Sequence, residues 1–224
     1  MTHGEYATIE RHMLDLMHDG AHDEQHVYRV LFAALDIAVD YDADMDVLIA
    51  ASLLHDIGRE AQFRDESVDH AVVGSEMAYT YLSSLGWPAA RAQHAKACIR
   101  SHRYRKSEEP ESIEAKILFD ADKLDVTGAL GIARTLAYKG IVAEPFYSVD
   151  EAGAVQSGEG DSEPSFFQEY NWKLKNVYEK FYTDKARRLA EGRRQASVDF
   201  YENMYAEVKE THVVGKRRLT DILL

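Results

Sequence analysis

The chain has 224 residues, 46% of them hydrophobic, which is enough for one well-filled core and too short for two full domains. The formal net charge of −13 excludes the basic face that stable binding to nucleic acid or to an anionic membrane requires. The single cysteine, Cys98, excludes an internal disulfide, and no apolar run reaches the roughly 18 to 20 residues that span a bilayer. We therefore expect one cytoplasmic domain over residues 1–224.

Helical spacing of apolar residues recurs along the chain and no stretch alternates as a strand does, so we predict an all-α fold. A first helix covers about residues 9–17. A second is capped by Asp23 and carries His26 in its first turn. The apolar run before His55 predicts a buried third helix over 43–55, ended by Gly58 in a left-handed cap. Further helices are predicted over residues 70–85, 88–101, 112–138, 166–184 and 185–208.

A long loop is predicted over residues 140–164, where two of the four prolines and several glycines oppose both helix and strand. We favour a mobile connector over a lid on an active site, although sequence does not separate the two. The domain then has a core over about 22–138, this loop, and C-terminal helices over about 166–208. Aromatic residues in those helices recur at helical spacing, which favours core packing over base stacking.

A histidine and an aspartate, His55 and Asp56, adjoin at the end of the apolar third helix. Buried charges persist only when they are paired or bound to a cation, so this pair predicts a divalent metal. His26 upstream and Asp122 downstream add imidazole and carboxylate donors, which suit Mn, Fe, Co or Zn. The set lacks the thiolates of a typical structural zinc site, and ligands from three helices leave coordination positions open. A catalytic metal that activates water for hydrolysis is therefore expected.

These residues form, in order, a histidine, a His-Asp pair and a distant aspartate, which resembles the signature of the HD-domain phosphohydrolase superfamily. Successive blocks look similar to one bacterial and archaeal branch, the YpgQ/YedJ type: HDEQHVYRV, AASLLHDIGRE, DHAVVGSEMA, IRSHRYR and ILFDADKLDVTGALGIAR. The stretch YTDKARRLAEGRRQASVDFY is similar to that branch's C-terminal helices, so the resemblance covers about residues 22–207.

The resemblance implies an all-α HD-domain helical bundle with additional C-terminal helices, and metal-dependent hydrolysis of phosphate esters or anhydrides. For this branch it implies that (deoxy)nucleoside triphosphates are hydrolysed to monophosphate and pyrophosphate, often with manganese. We therefore expect Mn as the cofactor, with Fe, Co, Mg, Zn and Ni as alternatives.

The metal ligands that the resemblance implies are His26, His55, Asp56 and Asp122. Asp23 and Asp125 are expected to orient them. Within DADKLD, Asp125 lies one helical turn beyond Asp122 and shares its face, whereas Asp120 lies about 200° around the helix and faces elsewhere.

Two further histidines, His70 and His102, extend the pattern to one that some HD proteins use to hold two metals. We favour one metal, which leaves His70 and His102, together with Asp56, as catalytic groups that contact phosphate or transfer a proton. The alternative is that both are helix-end or surface histidines. Candidate substrate-binding cations beside the ligand motifs are Arg29, Arg59, Arg103 and Lys123. For Lys123, a solvated or structurally paired lysine is an equal alternative.

We therefore predict a metal-dependent phosphohydrolase whose partner is a small phosphorylated substrate, expected to be a nucleotide. The alternatives are a phosphomonoesterase on nucleotides or small phosphorylated metabolites, a second-messenger phosphodiesterase, or a non-catalytic metal-binding regulatory module. No nucleic-acid or membrane partner is expected, and a homodimer is left open.

Overall fold

The protein is described from a computed structural model, which covers residues 1–17, 24–103 and 108–223. Residue contacts divide the chain into two compact units, one formed by residues 1–125 and 181–187 and the other by residues 126–180 and 188–224. The single domain with its predicted core, loop and C-terminal helices stays a prediction. Asp23 lies outside the described residues, so its capping and orienting roles also stay predictions.

The predicted all-α class is confirmed, since the described residues contain helices and one isolated bridge, between Val149 and Val155, but no strand. The first unit holds α1 (His3–Leu14), α2 (Glu24–Ala38), α3 (Met45–Leu54), α4 (Arg59–Arg64), α5 (His70–Ser84), α6 (Ala89–Arg100) and α7 (Ile113–Leu124). The second holds α8 (Gly128–Ile141), α9 (Phe166–Trp172) and a 3-10 helix (Leu174–Glu179). The last helix, α10 (Asp184–Leu223), has its first residues in the first unit. None of these helices is long and apolar enough to cross a membrane.

Side-chain caps explain where helices of the first unit begin. The Asp44 carboxylate accepts from the backbone N–H groups of Asp46 and Val47 at the start of α3. The Asp69 carboxylate accepts from the N–H of Ala71 at the start of α5. The first N–H groups of a helix have no partner inside it, so short acidic side chains at this position are favoured.

The buried third helix is confirmed. Val47, Leu48 and every residue from Ala50 to Leu54 are buried, because α3 packs against α1, α2, α6 and α7. This burial continues beyond the helix, and the side chains of His55 and Asp56 are 0% and 1% exposed. The local apolar run therefore brings two ionisable groups into the interior.

The prediction of one helix over residues 112–138 is wrong. α7 ends at Leu124, and α8 begins at Gly128 with a φ of 62°, which a right-handed helix does not contain. The N–H of Gly128 donates to the Tyr178 hydroxyl at 3.0 Å. A Cβ added to Gly128 would lie 2.8 Å from the Cβ of Arg193, so glycine is required there for space as well as conformation. The break is therefore a tertiary feature of the second unit.

Other boundaries also differ from prediction. The first helix lies earlier than expected, at His3–Leu14, and the capping box of Thr2 and Glu5 explains its start. The stretch predicted as a helix over 166–184 is α9 followed by the 3-10 helix, and α10 then runs to Leu223 rather than to residue 208.

Asp120 holds the two residues that come directly before α10. Its carboxylate accepts from the N–H of Tyr182 at 2.9 Å and from the N–H and hydroxyl of Thr183 at 2.6 Å each. We expect Asp120→Ala to lower the free energy of unfolding by about 3 kcal/mol, because buried donors lose an ionic acceptor. Urea denaturation measures this, and Asp199→Ala at an exposed position is the control, with a change under about 0.5 kcal/mol. A loss below about 1 kcal/mol for Asp120→Ala would contradict the assignment.

Aromatic residues form much of the core of the second unit, which confirms core packing for Phe166, Phe167 and Tyr170. The same prediction is wrong for Trp172, which is 69% exposed. Phe166 and Phe167 of α9 are fully buried, and Tyr170 stacks on Tyr201 of α10 with ring centroids 4.1 Å apart. The loop before α9 is joined to this core by a hydrogen bond from the Phe167 N–H to the Phe146 carbonyl, at 3.0 Å. Its role as connector or lid stays a prediction.

Candidate metal centre

Four histidines and two aspartates, positioned by five helices, converge inside the first unit. His26 lies in the first turn of α2, His55 and Asp56 follow α3, His70 begins α5, His102 follows α6, and Asp122 lies in the last turn of α7. All except Asp122 are at most 1% exposed.

The Asp56 carboxylate lies at the centre of this cluster. Its Oδ2 is 3.4 Å from Nε2 of His26 and 3.6 Å from Nε2 of His55. Its Oδ1 is 3.3 Å from Nε2 of His70 and 3.5 Å from Nε2 of His102. Two groups with metal-ligand geometry therefore share Asp56, one with His26 and His55 and the other with His70 and His102.

Two of the imidazole rings are oriented by backbone carbonyls. Nδ1 of His55 lies 2.8 Å from the carbonyl oxygen of Ser52, and Nδ1 of His102 lies 2.6 Å from that of Ile99. A carbonyl oxygen only accepts hydrogen bonds, so the hydrogen-bond pattern assigns the proton of each neutral ring to Nδ1. Each Nε2 then directs a lone pair into the cluster.

The other two rings are oriented by side chains. Nδ1 of His26 lies 2.7 Å from Oδ2 of Asp125, and Nδ1 of His70 lies 2.5 Å from Oε1 of Gln62. Arg29 in turn holds Asp125 through a two-pronged contact, with Nε 2.7 Å from Oδ1 and Nη2 3.0 Å from Oδ2. Metal-binding histidines characteristically have one ring nitrogen held by such a partner and the other turned to the metal.

Several polar atoms at the centre have no hydrogen-bond partner among the described residues. They are both carboxylate oxygens of Asp56 and the Nε2 atoms of His70 and His102. Arg59 Nε lies 3.0 Å from Asp56 Oδ1 but is not directed at it as a hydrogen-bond donor. An unpaired buried polar group costs about 1–3 kcal/mol, and lone pairs that face each other repel. A divalent cation accepts such nitrogen and oxygen lone pairs, so the residues present fit a divalent metal.

The pKa values of the histidines show where the site stabilises positive charge. Burial lowers the pKa of His55 and of His70 to about 4, so both rings are neutral at pH 7. Burial also opposes charge on His26, but hydrogen bonds with Asp122 and Asp125, among others, raise its pKa to about 10. A bound cation would compete with this proton, because a metal ligand must be deprotonated.

Asp122 lies at the more open side of the cluster. Its Oδ1 is 3.3 Å from Nε2 of His26 and 4.0 Å from Nε2 of His55, and its side chain is 24% exposed. Burial opposes its ionisation, but the hydrogen bond with His26 outweighs this and lowers the pKa of Asp122. Burial likewise opposes ionisation of Asp56, whereas the positive charge of Arg59 beside it holds its pKa well below the usual range. Both carboxylates are thus ionised at neutral pH.

Comparison with known proteins identifies the family. The HD domain model matches residues 24–127, the stretch that contains all of the clustered histidines and aspartates. YpgQ of Bacillus subtilis is 29% identical over 191 residues, 84% of each chain. A predicted HD-superfamily hydrolase from an uncultured Thermotogales bacterium is 30% identical, with a TM-score of 0.59 over 92% of each chain.

The chain belongs to the HD-domain superfamily. As an HD-domain protein it is a metal-dependent phosphohydrolase, which confirms the enzyme class predicted from the sequence. The crystal structure of Bacillus subtilis YpgQ in complex with ADP shares its fold, with a TM-score of 0.70, 24% identity, and coverage of 91% of this chain and 97% of that chain.

Two cations predicted to bind phosphate in this HD domain contact carboxylates of the site. Arg29 holds Asp125, and the side chain of Arg29 is 37% exposed, so it also reaches the surface. Arg59 lies beside Asp56 and is 23% exposed. Each is therefore placed to position or balance a carboxylate, and phosphate binding by either stays a prediction.

The other two predicted cations differ in their surroundings. Nη1 of Arg103 lies 3.4 Å from Oδ1 of Asp69, at the start of α5 and next to His70. Nζ of Lys123 lies over the rings of Phe119 and Phe181, 5.3 Å and 5.2 Å from their centroids. Such cation–aromatic contacts are stabilising, which supports a structural pairing of Lys123.

No sequence pattern predicted α4 or a role for Gln62, which lies on this helix. The predicted left-handed cap at Gly58 is also wrong, because Gly58 has a φ of −84°. Its role is close packing, since an added Cβ would lie 2.7 Å from the backbone N of Gly74 and closer still to the carbonyl oxygen of His70. Gly58 therefore lets α4 lie directly against α5, next to the clustered histidines.

We expect Gly58→Ala to lower the free energy of unfolding by about 2 kcal/mol, because the new methyl group collides with backbone atoms that cannot move independently. Gly192→Ala is the matched control, since a Cβ at Gly192 meets nothing within 4 Å and alanine favours the helix by up to about 1 kcal/mol. Urea denaturation should show a lower free energy of unfolding for Gly58→Ala and a higher one for Gly192→Ala, because only Gly58 lies against the backbone of α5. Equal effects would contradict it.

Proposed function

We propose that this HD-domain protein hydrolyses (deoxy)nucleoside triphosphates to monophosphate and pyrophosphate with Mn as its preferred metal. The observation that carries the metal-dependent part is the Asp56 carboxylate. Both of its oxygens lack a hydrogen-bond partner among the described residues, and its Oδ1 faces the unpaired Nε2 atoms of His70 and His102. The nucleotide part is supported by YpgQ, a relative that was crystallised with ADP. A cytoplasmic location and a homodimer stay predictions.

The proposed metal ligands are His26, His55, Asp56 and Asp122. A divalent metal bound there would supply Lewis-acid activation of water and of a phosphoryl oxygen. Asp125 orients His26, and the ionised Asp56 and Asp122 balance the charge of the cation.

In this proposal His70 and His102 handle protons and phosphate oxygens. Their Nδ1 atoms are engaged by Gln62 and by the Ile99 carbonyl, so their Nε2 atoms are the ones available to accept a proton from the attacking water. Arg59 and Arg103 lie beside this pair and would neutralise phosphate charge. A second metal in the group of Asp56, His70 and His102 is the competing arrangement, and metal stoichiometry measured on reconstituted protein distinguishes it.

The test is product-resolved turnover of a panel of nucleotides by metal-stripped protein resupplied with Mn, Co, Mg or Zn. Monophosphate and pyrophosphate in equal amounts support the proposal, and the panel then ranks the bases. Free phosphate would instead identify a phosphomonoesterase. Metal-dependent stabilisation without turnover of any phosphate compound would indicate a regulatory module.

A further inference from the structure

We propose that Phe63 forms the surface on which the base of the nucleotide substrate stacks. This inference rests on the proposed function and adds to it the residue that distinguishes a nucleotide from other phosphate compounds. None of the sequence motifs singled out Phe63, because it lies in α4, whose formation the sequence does not signal.

The placement of α4 carries the proposal. Arg59 and Gln62, both on this helix, reach the cluster: Arg59 Nε lies 3.0 Å from Asp56 Oδ1, and Gln62 Oε1 lies 2.5 Å from His70 Nδ1. With about 100° of rotation per residue, Phe63 lies about 40° from Arg59 around the helix and about 100° from Gln62. Arg59 thus lies between Gln62 and Phe63 around α4. Arg59 and Gln62 contact the cluster, so Phe63 lies at the solvent-exposed edge of the side of α4 that contacts it.

The exposure of Phe63 adds a second observation. Its side chain is 78% exposed, and no residue of α4 is buried. Single exposed apolar side chains are common and by themselves need no explanation. Phe63 differs because an uncovered aromatic ring lies one helical turn, about 5.4 Å, from an arginine that touches the central carboxylate.

The chemistry of a nucleotide matches this spacing. The phosphates of a nucleotide require the cations and metal ligands near Asp56. Its sugar separates these phosphates from the flat aromatic base. An aromatic side chain next to the phosphate site offers that ring a face, and aromatic stacking tolerates every base. Gly58 packs against α5 without room for a Cβ, so the start of α4, and with it the position of Phe63, is held in place.

The experiment compares substrates with and without a base. We expect Phe63→Ala to raise KM for deoxynucleoside triphosphates on the order of 10- to 100-fold, while kinetics with inorganic tripolyphosphate stay unchanged. Phe63→Tyr keeps a ring and should retain wild-type KM, whereas Phe63→Leu keeps apolar volume without a ring and should resemble Phe63→Ala. The matched control is Phe32→Ala, which removes another exposed ring, 60% exposed, from the side of α2 about 120° away from His26.

Equilibrium binding separates this inference from the proposed reaction. On Mn-saturated protein, calorimetry compares deoxyadenosine monophosphate with deoxyribose 5-phosphate, and the base should tighten binding in the wild type but not in Phe63→Ala. A base-dependent preference without nucleotide turnover would reject the proposed reaction and retain the role of Phe63. Equal binding of the two ligands by the wild type would overturn the stacking role of Phe63. Equal effects of Phe63→Ala on KM for nucleotide and for tripolyphosphate would also overturn it.

Discussion

Asp56→Asn is expected to abolish hydrolysis, with turnover reduced on the order of 10³-fold or more. Asn keeps the shape of the side chain but presents one oxygen and an NH₂ group, so the carboxylate no longer serves both histidine pairs. His26 and His55 face one oxygen of Asp56, and His70 and His102 face the other. The single substitution therefore affects both halves of the centre.

A stability measurement distinguishes loss of metal binding from loss of folding. Mn should raise the Tm of the wild type, because a ligand that binds only the folded state stabilises it, and should leave the Tm of Asp56→Asn unchanged. The matched control is Asp44→Asn, at the other end of α3, where asparagine still caps the helix. We expect that control to keep its turnover and its response to Mn. A variant at Asp56 that still binds Mn and retains turnover would disprove the central role of this carboxylate.

Asp125→Asn is expected to lower metal affinity about 10- to 100-fold without abolishing catalysis. Asp125 accepts two hydrogen bonds from Arg29 and holds Nδ1 of His26. It therefore orients the proposed metal ligand His26 and is not itself a proposed ligand. Asn removes the negative charge and replaces one acceptor oxygen with a donor. Turnover should therefore fall at limiting Mn and return to within a few-fold of the wild type at saturating Mn.

Asp120→Asn, on α7 as well, is the control for this variant. Its carboxylate binds Tyr182 and Thr183, so we expect lower stability with unchanged Mn affinity, the opposite of the result at Asp125. Calorimetric titration of both proteins with Mn, followed by urea denaturation, gives the comparison. If turnover of Asp125→Asn stays low at every Mn concentration, Asp125 has a role beyond orienting His26.

Local sequence predicted the bounds of α5 and α6 closely, whereas the local capping box that begins α1 was missed. α5 and α6, predicted over 70–85 and 88–101, span His70–Ser84 and Ala89–Arg100. Apolar periodicity and caps act within a few residues, so they are legible in the sequence. The break before Gly128 and the turn before α10 were not predictable, because they depend on contacts with Tyr178 and Asp120 far along the chain.

The same distinction applies to the metal centre. The residue types of the centre were predictable from the sequence, since a His-Asp pair after a buried apolar helix requires a partner for its charge. Three features of the centre appear only in the folded protein: both histidine pairs share Asp56, Gln62 orients His70, and His26 is held by a residue 99 positions away. The physical reason is that hydrogen-bond direction and lone-pair convergence arise from the packing of whole helices, which no local pattern encodes.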